Sequence, residues 1–294
     1  MPALDGRERR ERVGALLEIH LAVLLFGFPG LFGKWLPLSP FLIVLGRVAF
    51  AALALALLLA LRRQPFRITP DRDMALLALC GLVLAVHWTM FFRSVQVSTV
   101  AVGLLSYSSF PVFTAILEPL AARERWDPRS LAFAVVTLGG VFLIVPEFRA
   151  GNAVFRGVLW GLGAGLTFSV LAVLNRRLAQ RHSSLAVAFY QDFFAAVFLL
   201  PAVIGFDFAL TARDWGLLAA LGVLCTAGAH TLFIDGLRSV RARTAAVLSS
   251  LEPVYGILLA LAFLKESPSL RTLSGGAVVL AAALAATARA RRAG

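Results

Sequence analysis

Charge is scarce in this chain. Only 15% of its 294 residues are Asp, Glu, Lys or Arg, against about a quarter in an ordinary soluble domain, and that scarcity argues against a water-soluble globule. Cysteine is almost absent. Cys80 and Cys225 are the two present, and both fall in apolar runs, so they read as packing residues rather than as a disulfide or metal site. No GxxxxGK[ST] loop occurs, which removes ATP as a direct energy source. HExxH, a GxSxG nucleophile elbow and paired aspartates within apolar runs are missing too, which argues against an intramembrane protease or transferase. No metal and no cofactor is expected. What remains is hydrophobicity, at 60% of residues with a mean hydropathy of +0.85.

That hydrophobicity is organised. Continuous apolar runs of spanning length recur near 15–36, 40–61, 74–93, 98–120, 129–146, 157–176, 185–206, 214–234, 243–263 and 270–288. They predict ten transmembrane helices, and because the runs are continuous rather than alternating they exclude a β-barrel. The first run follows a charged stretch, is too long for a signal-peptide core and lacks a small-residue cleavage pattern, so it is expected to be retained. The net charge of +12 could suggest nucleic acid, but its placement does not. With the amino terminus in the cytoplasm, one side of the membrane holds twenty arginines, among them Arg62, Arg63, Arg176, Arg177 and Arg238. The other side holds seven cations: Lys34, Arg93, Arg149, Arg156, Arg213, Lys265 and Arg271. This is the positive-inside bias; it predicts a plasma (inner) membrane protein with both termini cytoplasmic. The expected partners are therefore the lipid bilayer and a small-molecule substrate, not nucleic acid, and the oligomeric state is left open, a monomer included.

The chain also repeats itself. Residues 88–136 recur as 230–278 without a gap: Pro253 follows Pro111, and Glu266 follows Glu124, by the same 142 positions. Thr89 and Thr231, Phe91 and Phe233, Ser108 and Ser250, and Arg129 and Arg271 keep that register. Shared leucines in apolar helices mean little, whereas matched prolines and glutamates point to duplication. Ten spans divide into two repeats of five, residues 1–150 and 151–294. An odd number of spans per repeat turns the second copy upside down, and inverted repeats are the usual architecture of secondary transporters.

The run AVLSSLEPVY at 246–255 followed by Leu264-Lys265-Glu266, its weaker copy LSYSSFPV at 105–112 with Arg123-Glu124, Arg47 in the second run, and Asn175-Arg176-Arg177 after the sixth resemble the drug/metabolite transporter superfamily, EamA type. The resemblance covers about residues 16–288 and implies ten helices, an inverted repeat, a central cavity and export of small metabolites. By overall similarity, the chain looks most like the aromatic amino-acid exporters. Phe110, where the second half has Glu252, departs from equivalence of the halves.

Within the spans, Gly27, Pro29 and Gly30 form GFPG mid-way along the first, where a helix should bend or unwind. Packing without ligand contact is the competing reading. Pro111 and Pro253 sit near the middles of spans four and nine and suit a pair of hinges. Glu252 is the sharpest residue, because a central acid costs roughly 2.5–3.5 kcal/mol on insertion scales and so needs a cavity, a partner or a proton. The alternative is a buried bond from Glu252 to Arg47 or His230 that only locks helices together. Helical spacing puts Ser249, Tyr255 and Gly256 near Glu252, with Tyr107, Phe110 and Thr114 on the matching face of span four. The expected substrate-binding set is therefore Trp88, Tyr107, His230, Ser249, Glu252 and Tyr255. Arg47, Gln191 and Asp192 are candidates for a gate or a substrate-orienting group. Lys265 and Glu266 read as interfacial anchors, Trp35 and Trp215 as aromatic-belt residues, and Gly139–Gly140, Gly161, Gly163 and Gly165 as close-packing sites.

The function implied is a secondary transporter exporting small metabolites by alternating access, with amino acids, aromatic ones especially, as best guess. The alternatives are drugs, nucleosides or phosphorylated sugars as cargo, or an intramembrane enzyme.

Overall fold

The computed structural model describes residues 6–64, 72–123, 125, 128–179, 181–204, 209–236, 248–249 and 251–293. Glu124, Ser250, and Arg238, Arg241 and Arg243 lie outside them. All regular structure among the described residues is helical, as a lipid environment requires, since a helix satisfies its backbone polar groups internally.

The order is α1 (Gly6–Gly27), α2 (Pro29–Trp35), α3 (Pro40–Leu61), α4 (Arg72–Val97), α5 (Val100–Tyr107), α6 (Phe110–Ala122), α7 (Pro128–Ile144), α8 (Ala153–Ala179), α9 (Ser184–Val203), α10 (Ala212–Gly222), α11 (Ala229–Gly236), α12 (Glu252–Leu259) and α13 (Leu270–Ala293). Wide π-helical turns, Val223–Gly228 and Ala260–Leu264, follow α10 and α12. Among the described residues, seven stretches are long and apolar enough to cross a membrane: Val13–Trp35, Pro40–Leu61, Arg72–Val97, Val100–Ala121, Ala153–Asn175, Ser184–Val203 and Ala212–Phe233. Within the expected runs at 129–146, 243–263 and 270–288, the described residues form apolar helices at Leu131–Ile144, Glu252–Leu264 and Leu270–Ala282, the last being the first part of the 24-residue α13. Proline opens α7 at Pro128 and stands in the first turn of α12 at Pro253.

Local sequence sets the helix starts. Ser39 and Thr99 accept the Leu42 and Val102 amides ahead of α3 and α5, Ser183 accepts the Ala186 amide ahead of α9, and Thr211 with Asp214 forms a reciprocal capping box at α10. These caps satisfy amides that have no partner within a helix.

Three apolar spans are broken, each at a proline. The first stops at Gly27 and restarts at Pro29. The fourth stops at Tyr107 and restarts at Phe110, with Pro111 in the first turn of α6. The ninth starts afresh at Glu252, with Pro253 next. At the fourth-span break hydroxyls add hydrogen bonds to backbone carbonyls: Ser108 Oγ donates to Leu104 O at 2.8 Å, Ser109 Oγ to Ser106 O at 2.6 Å, and Ser169 Oγ from α8 to Phe110 O at 2.7 Å.

Helices pack as pairs: α4 along α8, α3 along α9, α7 along α13, and α1 along α11 and α12. Glycines permit the closest approaches. A Cβ on Gly161 would lie 2.5 Å from Ser106 Cβ, one on Gly163 2.8 Å from Met90 Sδ, and one on Gly275 2.6 Å from the Gly140 carbonyl. The close-packing reading therefore holds for Gly140, Gly161, Gly163 and Gly165, while Gly139 faces open space. Cys80 and Cys225 are buried and unpaired. The main core gathers Leu31, Ile43, Val44, Phe91, Phe92, Val95, Leu104 and Leu221 between α2, α3, α4, α5 and α10, while Leu53, Leu57 and Leu61 face outward from α3 as lipid-facing residues do.

Candidate substrate site

Arg47 projects from the first half of α3 and is 1% exposed. Its guanidinium carbon lies 3.3 Å from the centre of the Trp88 ring on α4, a desolvated cation–π contact. Its Nε and Nη1 are buried without an acceptor. Asp192 on α9, Glu252 at the first turn of α12 and Tyr107 at the end of α5 are near enough for their charge or polarity to act on Arg47. Yet no hydrogen bond or ion pair joins Arg47, Asp192 or Glu252 to any described residue. The helix-locking bond from Glu252 to Arg47 or His230 is therefore not made. Glu252 is half-buried and Asp192 is buried.

Aromatic rings wall this charged group. Trp88 meets His87 at 4.8 Å and Phe91 at 5.5 Å between centroids. Tyr107 stacks on Phe110 at 5.7 Å and meets Phe168 of α8 at 5.4 Å. His87 is oriented by Nδ1, 2.9 Å from the Ala164 carbonyl, where it donates. Phe91 and Phe168 carry no site signal in the sequence, since aromatic residues in apolar helices are ordinary.

The other expected residues are arranged differently. Tyr255 turns toward α1, where its hydroxyl lies 3.3 Å from His20 Nδ1 and its ring joins the Ile19–Val23 cluster. His230 is exposed; its Nδ1 lies 3.1 Å from the Thr226 carbonyl, one turn back, and its ring meets Phe26 at 5.5 Å. Ser249 is half-buried just before α12. Gln191 donates to Asn175 Oδ1 across α8 and α9, while its neighbour Asp192 lies toward Arg47. Gly27 is a contact point: a Cβ there would be 3.0 Å from the Gly256 amide and 3.2 Å from Tyr255 Cβ. Gly30 abuts Val100 in the same way, at 2.7 Å. The broken first span thus packs its glycines against α12 and α5.

Two polar clusters tie the bundle at positions that sequence reasoning treated as anchors or did not single out. Lys34 of α2 donates to the Ser98 carbonyl at 2.7 Å and pairs with Glu266 at 3.5 Å, while Glu266 Oε2 accepts the Val100 amide at 2.9 Å. Glu266 is therefore a cap for α5, in addition to any interfacial role. Asp73 at the start of α4 pairs with Arg181 at 3.3 Å and with His182 at 2.9 Å. Among the described residues no cluster of His, Cys, Asp or Glu could hold a metal ion.

Chemically, an unsatisfied planar cation, two carboxylates beyond pairing distance and flat apolar walls complement a small molecule that carries an anionic group, a cationic group and an apolar body.

Comparison with known proteins accords with a transport role. The chain is 24% identical over 292 residues to the uncharacterized transporter YxxF of Bacillus subtilis, covering 97% of this chain and 92% of the relative. It is 27% identical to the pseudopaline exporter CntI of Pseudomonas aeruginosa, covering 80% and 82%, and 26% identical to the S-adenosylmethionine uptake transporter of Rickettsia conorii, covering 68% and 67%. A crystal structure of a protein 20% identical in sequence superposes with a TM-score of 0.65 over 95% of this chain and 98% of its own, which establishes likeness of fold. The EamA-like transporter family model matches twice, at residues 14–145 and 155–288, and with nearly its whole length matched this membrane chain belongs to the EamA-like transporter family.

Proposed function

We propose that this chain is a secondary transporter that exports small metabolites, amino acids and aromatic ones especially, across the plasma membrane by alternating access between two inverted repeats, residues 1–150 and 151–294, with both termini cytoplasmic. Support for two repeats comes from their matched details. Pro111 and Pro253 each sit in the first turn of a helix that restarts after a break. Arg123 and Lys265, related by the same 142 positions, both end their segments in the left-handed conformation with φ 57°. The third span packs on the sixth, and the first on the eighth, as exchange of the halves requires. Two such halves can rock between arrangements open to opposite faces, with Gly27, Pro29, Gly30, Pro111 and Pro253 at the breaks as hinges.

The observation that carries the cargo is the cluster of Arg47, Asp192 and Glu252 beside Trp88, Tyr107 and Phe168. It holds charges of both signs beside aromatic surface, which suits a zwitterion with a planar side chain. S-adenosylmethionine, the cargo named for the Rickettsia relative, is itself an α-amino acid. A phosphorylated cargo would call for several cations, and Arg47 is the one buried lysine or arginine among the described residues. Trp88, Tyr107 and Glu252 are the first contacts in this reading, Arg47 and Asp192 the orienting groups, and Gln191 a support for its α9 turn. His230, Ser249 and Tyr255 lie on the α1 and α12 side of the path.

Flux of labelled tryptophan, phenylalanine and threonine in proteoliposomes, with and without a pH gradient, tests this. Saturable flux with mutual competition is the expected result, and its response to the gradient reports proton coupling. Flux no greater than in empty liposomes sinks the amino-acid assignment.

A further inference from the structure

Arg47 is a buried charge with donors that the bundle leaves without an acceptor. A charged group at mid-membrane is normally paired with another side chain or with backbone carbonyls, as Lys34 is paired with Glu266 and Ser98 O. Arg47 is 1% exposed and its Nε and Nη1 reach no acceptor. Trp88 occupies one flat face of the guanidinium. A ring on that face leaves the in-plane N–H groups free, and these are the donors that grip a carboxylate in bidentate fashion. A purely structural arginine would have those donors satisfied.

We propose that Arg47 is the receptor for a carboxylate on the transported molecule, held in the guanidinium plane while Trp88 backs the cation. The charge of the anion is limited by its surroundings. The neighbouring imidazoles are engaged, His87 Nδ1 at the Ala164 carbonyl and His230 Nδ1 at the Thr226 carbonyl. The carboxyl groups of Asp192 and Glu252 lie nearby. One cation beside two acids suits a monoanionic carboxylate and disfavours a phosphate dianion. The same two acids favour a substrate that also carries an ammonium group. This deepens the amino-acid reading and rests on it only for that ammonium; the carboxylate half stands on Arg47 and Trp88 alone.

The test is ligand-induced thermal stabilisation of the purified full chain in detergent, using phenylalanine, 3-phenylpropionate (no amine) and phenethylamine (no carboxylate). Phenylalanine is expected to raise Tm most, 3-phenylpropionate less, and phenethylamine not at all at equal concentration. Arg47→Lys keeps the charge but loses the planar fork, so its apparent affinity for phenylalanine should fall at least tenfold. Arg47→Gln should lose protection by both carboxylates while the empty protein melts at or above the wild-type temperature, because an unpaired buried charge has gone. Protection undiminished in Arg47→Gln, phenethylamine as protective as phenylalanine, no protection by either carboxylate, or a glutamine variant that fails to fold would each overturn the proposal. Protection by 3-phenylpropionate but not phenylalanine, lost in Arg47→Gln, would sink the amino-acid assignment and leave the carboxylate receptor standing.

Discussion

Replacing Glu266 with alanine removes several contacts at once, and their geometry sets the size of the effect. Oε2 accepts the Val100 amide at 2.9 Å, at the start of the eight-residue α5; a hydrogen bond to a charged group contributes about 1.5–3 kcal/mol. A negative charge at a helix N-terminus adds about 0.3–1 kcal/mol. The pair with Lys34 is 3.5 Å long with side chains 24% and 22% exposed, so solvent screening holds it to at most about 1 kcal/mol. These contributions overlap, and Glu266→Ala should cost about 2–3 kcal/mol. Glu266→Gln keeps an acceptor for Val100 and loses only the charge, for about 1 kcal/mol. Lys34→Met, which also gives up the bond to Ser98 O, should cost a similar amount, and the double variant should cost less than the sum because the two residues share one contact. Thermal unfolding in detergent micelles, followed by far-UV circular dichroism, ranks them. Because the cluster joins α2 and α5 to the segment after α12, opening the bundle at that end must separate it. Weakening it by about 1.4 kcal/mol raises the open population roughly tenfold, which labelling of a cysteine placed beside Ser98 would read. Glutamine as damaging as alanine, or both variants unchanged in Tm and labelling, refutes the reasoning.

Further expectations test packing and charge. Gly275→Ala drives a Cβ to 2.6 Å from the Gly140 carbonyl and 3.0 Å from the Ile144 amide; backbone cannot swing aside as a side chain can, so about 1–3 kcal/mol of stability should be lost. Gly139→Ala meets nothing within 4 Å and should stabilise its helix by up to about 1 kcal/mol; equal melting of the two variants would contradict the α7–α13 contact. Glu252→Gln breaks no hydrogen bond or ion pair to a described residue, so Tm should hold while the maximal transport rate falls at least tenfold. Transport at the wild-type rate would remove Glu252 from the mechanism.

What could be read from the sequence was what adds up along the chain. Hydropathy is such a quantity, and it located the membrane segments. Proline and glycine act on their own turn, so the breaks at Phe28, before Pro111 and before Pro253 were visible as dipeptides and tripeptides. The matched prolines put the restarts of α6 and α12 in one register.

The candidate site was legible as a list of costly residues rather than as a place. Arg47, Glu252 and Asp192 stand out in any apolar run because burying charge is expensive wherever it happens. Which of them meet is another matter. Tyr107 and Tyr255 hold similar places in their spans, yet Tyr107 joins the aromatic wall while Tyr255 turns to His20 on α1. Lys34 and Glu266 resemble interfacial anchors until α2 and α5 are seen together.

By itself, then, the sequence determined that the chain is helical and membrane-embedded, where its segments break, and which side chains must find unusual surroundings, because these follow from local backbone chemistry and transfer free energy. Only the tertiary structure decided that Arg47 lies over Trp88 with its donors unsatisfied, and that Glu266 caps α5. Those facts depend on how α3 meets α4 and how α12 meets α5, and contact between helices distant in sequence is set by the packing of the whole bundle.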